Sequence, residues 1–159
     1  MPNEDLIIRI NDNWDIANSE QIAGTIYLQY GDHVFPYSDW NDYPLNMLEG
    51  WIDTTVSNLI NRGSYYLFFL DGPYCIKVSQ ITKNHKWYYQ LNMITNIRTY
   101  DESTLWSCDV RAIPWLNELL SAANKCLKIA AAKGIDCSKL KKQSKRIMKY
   151  ARCLRILHV

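Results

Sequence analysis

The chain has 159 residues, of which 48% are hydrophobic and 21% charged, proportions that fit one globular domain with its own core and exclude disordered and collagen-like chains. The formal charge of +2 conceals a division: residues 1–112 carry 7 Lys/Arg against 14 Asp/Glu, a net −7, and the remainder 11 against 2, a net +9. An acidic front and a basic tail make a dipolar field that can steer a charged partner.

In chain order, the apolar run Leu6 to Ile10 and the β-branched and aromatic stretch Ile22 to Tyr30 read as strands, the first suited to an edge. From Leu45 the spacing changes. Leu45, Leu48, Ile52, Val56, Leu59 and Ile60 recur at three and four with polar residues between them, which predicts an amphipathic helix that accepts Pro44 in its first turn and stops at Gly63. Tyr65 to Leu70 and Tyr74 to Thr82 flank Asp71-Gly72-Pro73 as a hairpin, and Trp87 to Thr95 and Leu105 to Ala112 extend it. Two amphipathic helices close the chain. One carries the stripe Leu116, Leu119, Leu120, Ala123, Leu127 and Ala130 between Pro114 and Gly134. The other sets Leu140, Ile147, Ala151 and Leu154 against Lys142, Lys145, Lys149 and Arg152. The expected fold is a single α+β domain over 1–159: an antiparallel meander packed by one central helix, with the two C-terminal helices as its cover.

Signals for chemistry are sparse. Five scattered cysteines with no CxxC pair read as core residues of a reducing cytoplasm. His33, His85 and His158 have no metal-ligand spacing, so no metal and no cofactor are expected, and the glycines form neither of the common phosphate-cradling loops. The opening Met1-Pro2-Asn3-Glu4-Asp5 is unlike a secretory signal and the apolar runs are far shorter than a membrane span, so a cytoplasmic protein without a membrane partner is expected. Asp39 and Asp42 are close enough to act as an acid/base pair, but helix capping accounts for them more simply. The basic last helix offers a nucleic-acid-binding or regulatory alternative, opposed by the acidic front that would repel the same phosphates.

Aromatic content stands out, with 6 Trp and 11 Tyr. Trp51, Trp87, Trp106 and Trp115 fall in core patterns, whereas Tyr37, Trp40 and Tyr43 lie in an acid-rich loop and are candidates for a binding surface. The segment Phe35-Pro36-Tyr37-Ser38-Asp39-Trp40-Asn41-Asp42-Tyr43, followed by Leu48 and Trp51, resembles the F-P…W-x-D-[FY]…L…W signature of bacterial immunity proteins of polymorphic toxin and contact-dependent growth inhibition systems. Phe68-Phe69-Leu70-Asp71-Gly72-Pro73-Tyr74 is similar to the strand, D-G-P-[FY] turn and strand that follow in such proteins, and the closing helices around Ala122-Ala123-Asn124-Lys125 and Lys133-Gly134-Ile135-Asp136 match more weakly. The resemblance implies a non-enzymatic inhibitor that binds the C-terminal domain of a cognate toxin in the cytoplasm. Asp39, Asp42 and Glu49 with Trp40, Tyr37 and Tyr43 are the candidate contacts, an acidic aromatic surface suited to the basic cleft of a nuclease. In the competing reading Trp40 packs under the helix and the acids only cap it.

Overall fold

The computed structural model describes residues 5–16, 21–59, 61 and 63–157. Met1 to Glu4, Ile60 and His158, used above, lie outside them. Among the described residues, eight strands and three helices follow one another as β1 (Leu6–Ile10), β2 (Gly24–Tyr30), β3 (His33–Phe35), β4 (Asn41–Asp42), α1 (Pro44–Asn58), β5 (Ser64–Phe68), β6 (Tyr74–Lys83), β7 (Lys86–Thr95), β8 (Ser103–Arg111), α2 (Ala112–Ala132) and α3 (Ser138–Leu157). The fold is α+β with antiparallel strands, but the strands form two sheets. In the first, β2 pairs with β1 on one side and with both β3 and β4 on the other; the second has the order β5-β6-β7-β8.

The second sheet is the expected meander. Its β6–β7 turn is made by Asn84 and His85, both at positive φ (49° and 61°), the twist that a two-residue hairpin turn requires. One face, carrying Leu67, Ile76, Val78, Leu91 and Met93, is buried, while Tyr66, Lys77 and Asn92 alternate onto the other. On α1 the apolar stripe is buried as the spacing predicts, together with Trp51. The helix ends at Asn58 rather than at Gly63: the Asn58 side-chain amide donates to the Thr54 carbonyl at 2.8 Å, and the Leu59 N–H bonds back to Val56.

The cover differs from expectation. α1 contacts β5 and α2 contacts β1, β7 and β8, while α3 packs mainly on α1 and α2. The α3 stripe is narrow: Leu140, Ile147 and Ala151 are buried, alongside the polar Gln143 and Ser144. It closes a helix pair better than it would cover a sheet. Along its α1-facing side, Lys139 meets Glu49 at 4.0 Å and Arg146 meets Asp53 at 3.9 Å. Part of the front-to-tail charge division is thus matched inside the molecule.

The outer edge of β1 is met by α2, where the Glu118 carboxylate accepts the Ile8 N–H at 2.8 Å. Burial raises the Glu118 carboxyl above its ordinary value of 4.5, against the lowering effects of the Ile8 N–H, Lys125 and Arg9. A raised folded value means that the folded chain keeps the proton at a pH where the unfolded chain has lost it, so this group's contribution to stability falls as pH rises from 4.5 towards neutrality. A glutamine side chain in its place would keep an oxygen for the Ile8 N–H and would not titrate. Glu118→Gln should therefore gain stability relative to wild type across that interval, measured by denaturant unfolding at several pH values, and a difference independent of pH would contradict this account.

Candidate protein-binding site

Phe35 ends β3 inside the core, and after the cis Phe35–Pro36 peptide the chain turns outward through Tyr37, Ser38 and Asp39, the last at φ 58°. It returns as β4 once the Trp40 carbonyl has accepted the Ile26 N–H at 2.9 Å. The loop therefore stands on β2 at its two ends. Trp40 is half-buried, and its indole N–H donates to the Asp42 carboxylate at 3.0 Å.

Asp42 is only 1% exposed. Besides the indole, its carboxylate accepts the Tyr43 N–H at 2.9 Å and the Asp71 N–H at 3.1 and 3.2 Å. Burial is the largest influence on this carboxyl and raises it, outweighing the N–H donors that favour the charge. Asp42 thus fastens the 37–42 loop to the β5–β6 turn. It does not cap α1, whose N-cap residue Tyr43 makes no side-chain cap bond.

Aromatic rings complete the junction. Tyr74, just after the turn, stands edge-on to Trp40 (centroids 5.2 Å apart), Tyr37 (6.0 Å) and Phe35 (5.8 Å). Phe35 contacts Phe69, which contacts Trp51 of α1, both pairs at 5.4 Å, and the Trp51 indole donates to the Phe68 carbonyl at 2.8 Å. A chain of rings runs from the exposed Tyr37 to the core Trp51, each pair worth about 0.5–1.5 kcal/mol beyond its burial. The Tyr37 and Tyr74 hydroxyls are 3.5 Å apart, and this contact is the largest cause pushing the Tyr74 phenol up to about 12.

Gly72 is required at this contact. Its φ is +73°, and a Cβ there would fall 2.8 Å from the Tyr74 ring and 3.2 Å from the Trp40 ring. Gly72→Ala should cost about 2 kcal/mol from the left-handed backbone and displaced rings together, read as a lowered denaturation midpoint with altered tryptophan emission. An unchanged midpoint would contradict the close packing.

The six candidate residues thus divide. Tyr37 (59% exposed) and Asp39 are on the surface, with half-buried Trp40 beneath them; Tyr43 is half-buried at the start of α1. Asp42 lies under the surface as an anchor. Glu49 is directed to Lys139 of α3, away from the loop, with its carboxyl raised mainly by burial.

Several neighbours escaped the sequence reading. Leu70 is 53% exposed, Asp71 is exposed beside it, and the 96–102 loop is tied to the same turn by the Ile97 N–H to the Pro73 carbonyl at 3.3 Å. Tyr37, Phe68, Leu70, Tyr100 and Leu105 are five of the eight large hydrophobic side chains most exposed among the described residues. The D-G-P-Y turn was visible in the sequence, but its placement against Trp40 was not. The 96–102 loop has no periodicity that would draw attention to it.

Burial lifts the Cys75 thiol to about 11 and those of Cys108 and Cys126 to about 12, far from a ready thiolate. Among the described residues no group of three or more His, Cys, Asp or Glu side chains could hold a metal ion, and no helix is long and apolar enough to cross a membrane. No family model, curated protein or solved structure matches the chain.

Proposed function

We propose that this protein is a non-enzymatic immunity protein, which binds the C-terminal domain of a cognate bacterial toxin in the cytoplasm and blocks it by stoichiometric contact. One observation carries the reading. The two segments that resemble immunity-protein signatures, 35–43 and 68–74, converge through Asp42, Trp40, Gly72 and Tyr74 into one patch. That patch offers aromatic and aliphatic side chains at its centre and the carboxylates of Asp39 and Asp71 at its rim, a composition suited to a basic surface such as a nuclease cleft. Tyr and Trp are favoured at such centres because they bury large area with few rotors to immobilise.

The experiment is coexpression with the toxin domain encoded beside this chain. Co-purification together with restored growth supports the reading, and loss of both with folded protein present removes it. A second reading has one observation in its favour. Lys141, Lys142, Lys145 and Lys149 of α3 are exposed with no ion pair among the described residues, a face able to meet phosphates. Retention on heparin that disappears on reversing Lys142 and Lys145 would favour it.

A further inference from the structure

We infer that the open face of the second sheet is a binding site for a nucleotide unit, an aromatic base with its phosphate. The strand register sets a row of directly opposed residues across all four strands: Tyr66 faces Lys77, Lys77 faces Asn92, and Asn92 faces Ser107. The next row is Phe68, Cys75, Ile94 and Thr104. A polar row with a cation and an amide thus borders an apolar floor, and together they line a recess of about 430 Å³, within the size range of small-molecule sites.

The ligand class follows from what lines the recess. Tyr66 and Phe68 project from the same strand as a stacked pair, 6.2 Å between centroids and 22° between planes, and both are exposed. Neighbouring parallel rings on an open antiparallel sheet form a platform for planar bases, because every base has a π-face. The Arg98 guanidinium lies over the Phe68 ring, 5.8 Å from its centroid, so a base that stacks on that face of Phe68 takes the place of Arg98 and leaves the guanidinium free to meet the phosphate. Arg98 is delivered by a loop in which Asn96 and Arg98 itself are both left-handed (φ 54° and 64°). The Glu102 carboxylate accepts the Arg98 N–H at 3.2 Å and fixes that loop. Lys77 and Arg98 therefore leave a cationic excess over Glu102 beside the stacking platform, which complements a phosphate. Asn92 and Thr104 supply side-chain donors and acceptors for a base edge. Phe68 belongs to the 68–74 segment of the proposed toxin contact, whereas Tyr66, Lys77, Asn92 and Arg98 lie outside both signature segments, so substitutions at Lys77 and Arg98 test this site separately from that contact.

The test is titration of the full chain with AMP, adenosine and an eight-nucleotide oligo(dT), followed by NMR at low salt. Saturable binding of AMP or of the oligonucleotide is expected. Adenosine should bind at least about tenfold more weakly than AMP, and Phe68→Ala and Arg98→Ala should each lower affinity about tenfold or more while circular dichroism shows the fold retained. Tighter binding by the oligonucleotide than by AMP identifies a single strand as the source of the nucleotide unit; comparable binding identifies a free nucleotide. If Phe68→Ala is misfolded, Arg98→Ala and Lys77→Glu carry the same test. Absence of saturable binding by every probe overturns the inference. So does binding that persists in Phe68→Ala and Arg98→Ala but is lost on reversing Lys142 and Lys145, which would assign the phosphate contact to α3.

Discussion

Asp42→Ala is expected to lower the unfolding free energy by about 3 kcal/mol, because hydrogen bonds to a charged acceptor contribute about 1.5–3 kcal/mol each and truncation leaves several donors unpaired. Those donors are the Trp40 indole and the N–H groups of Tyr43 and Asp71. For a chain of this length the melting temperature should fall by about 6–12 °C. Asp42→Asn should recover only part of the loss. Its single oxygen cannot serve both sides of the carboxylate, and its NH2 group must face a donor. Urea unfolding followed at tryptophan wavelengths reads both variants. A change below about 1 kcal/mol would mean that the loop and the turn are held together by the rings alone.

The second large effect concerns binding. Tyr37 and Leu70 are both more than half exposed, so Leu70→Arg should change stability by no more than about 0.5 kcal/mol, and Tyr37→Ala, which removes the ring contact with Tyr74, by about 0.5–1.5 kcal/mol. If the proposed patch is the centre of the toxin contact, each should weaken the complex by about 2–4 kcal/mol, or roughly 30- to 1000-fold. Charge reversal at Asp39 should act mainly on the association rate and its salt dependence. Glu49→Lys should change affinity much less, because that carboxylate already faces Lys139. Surface-immobilised kinetics with the toxin domain separates these cases. The reverse order of effects, with Glu49 dominant and Tyr37 silent, would move the contact to the α1–α3 side.

How far the chain could be read from its sequence depended on the range of the signal. The three-and-four spacing of α1 and the alternation of β5 to β8 are local, and these elements formed close to where the pattern places them. β3 and β4 contain three and two residues, too few for periodicity to register. Their pairing to β2 is what divides the strands into two sheets. The site shows the same limit. An aspartate in a loop looks alike whether it faces solvent or is buried, and Asp42 became an anchor because the Asp71 N–H, 29 positions away, is brought to it. Aromatic content and acid content single out the loop Tyr37 to Asp42, but they do not distinguish its exposed side chains from the buried Asp42 that anchors it. Glu49 shares its helix with the motif residues, but it lies 4.0 Å from Lys139 of α3, a helix whose stripe reads in the sequence as cover for the sheet.

The most direct measurement is a titration of purified toxin domain with purified protein, following the toxin's own activity. The proposed function predicts activity falling linearly to zero at one protein per toxin, with Tyr37→Ala and Leu70→Arg shifting the curve to higher concentration and Glu49→Lys leaving it in place. Full toxin activity in the presence of excess folded protein would contradict the proposal. Inactivation well below equimolar protein would also contradict it, because one chain would then be disabling many toxin molecules by catalysis.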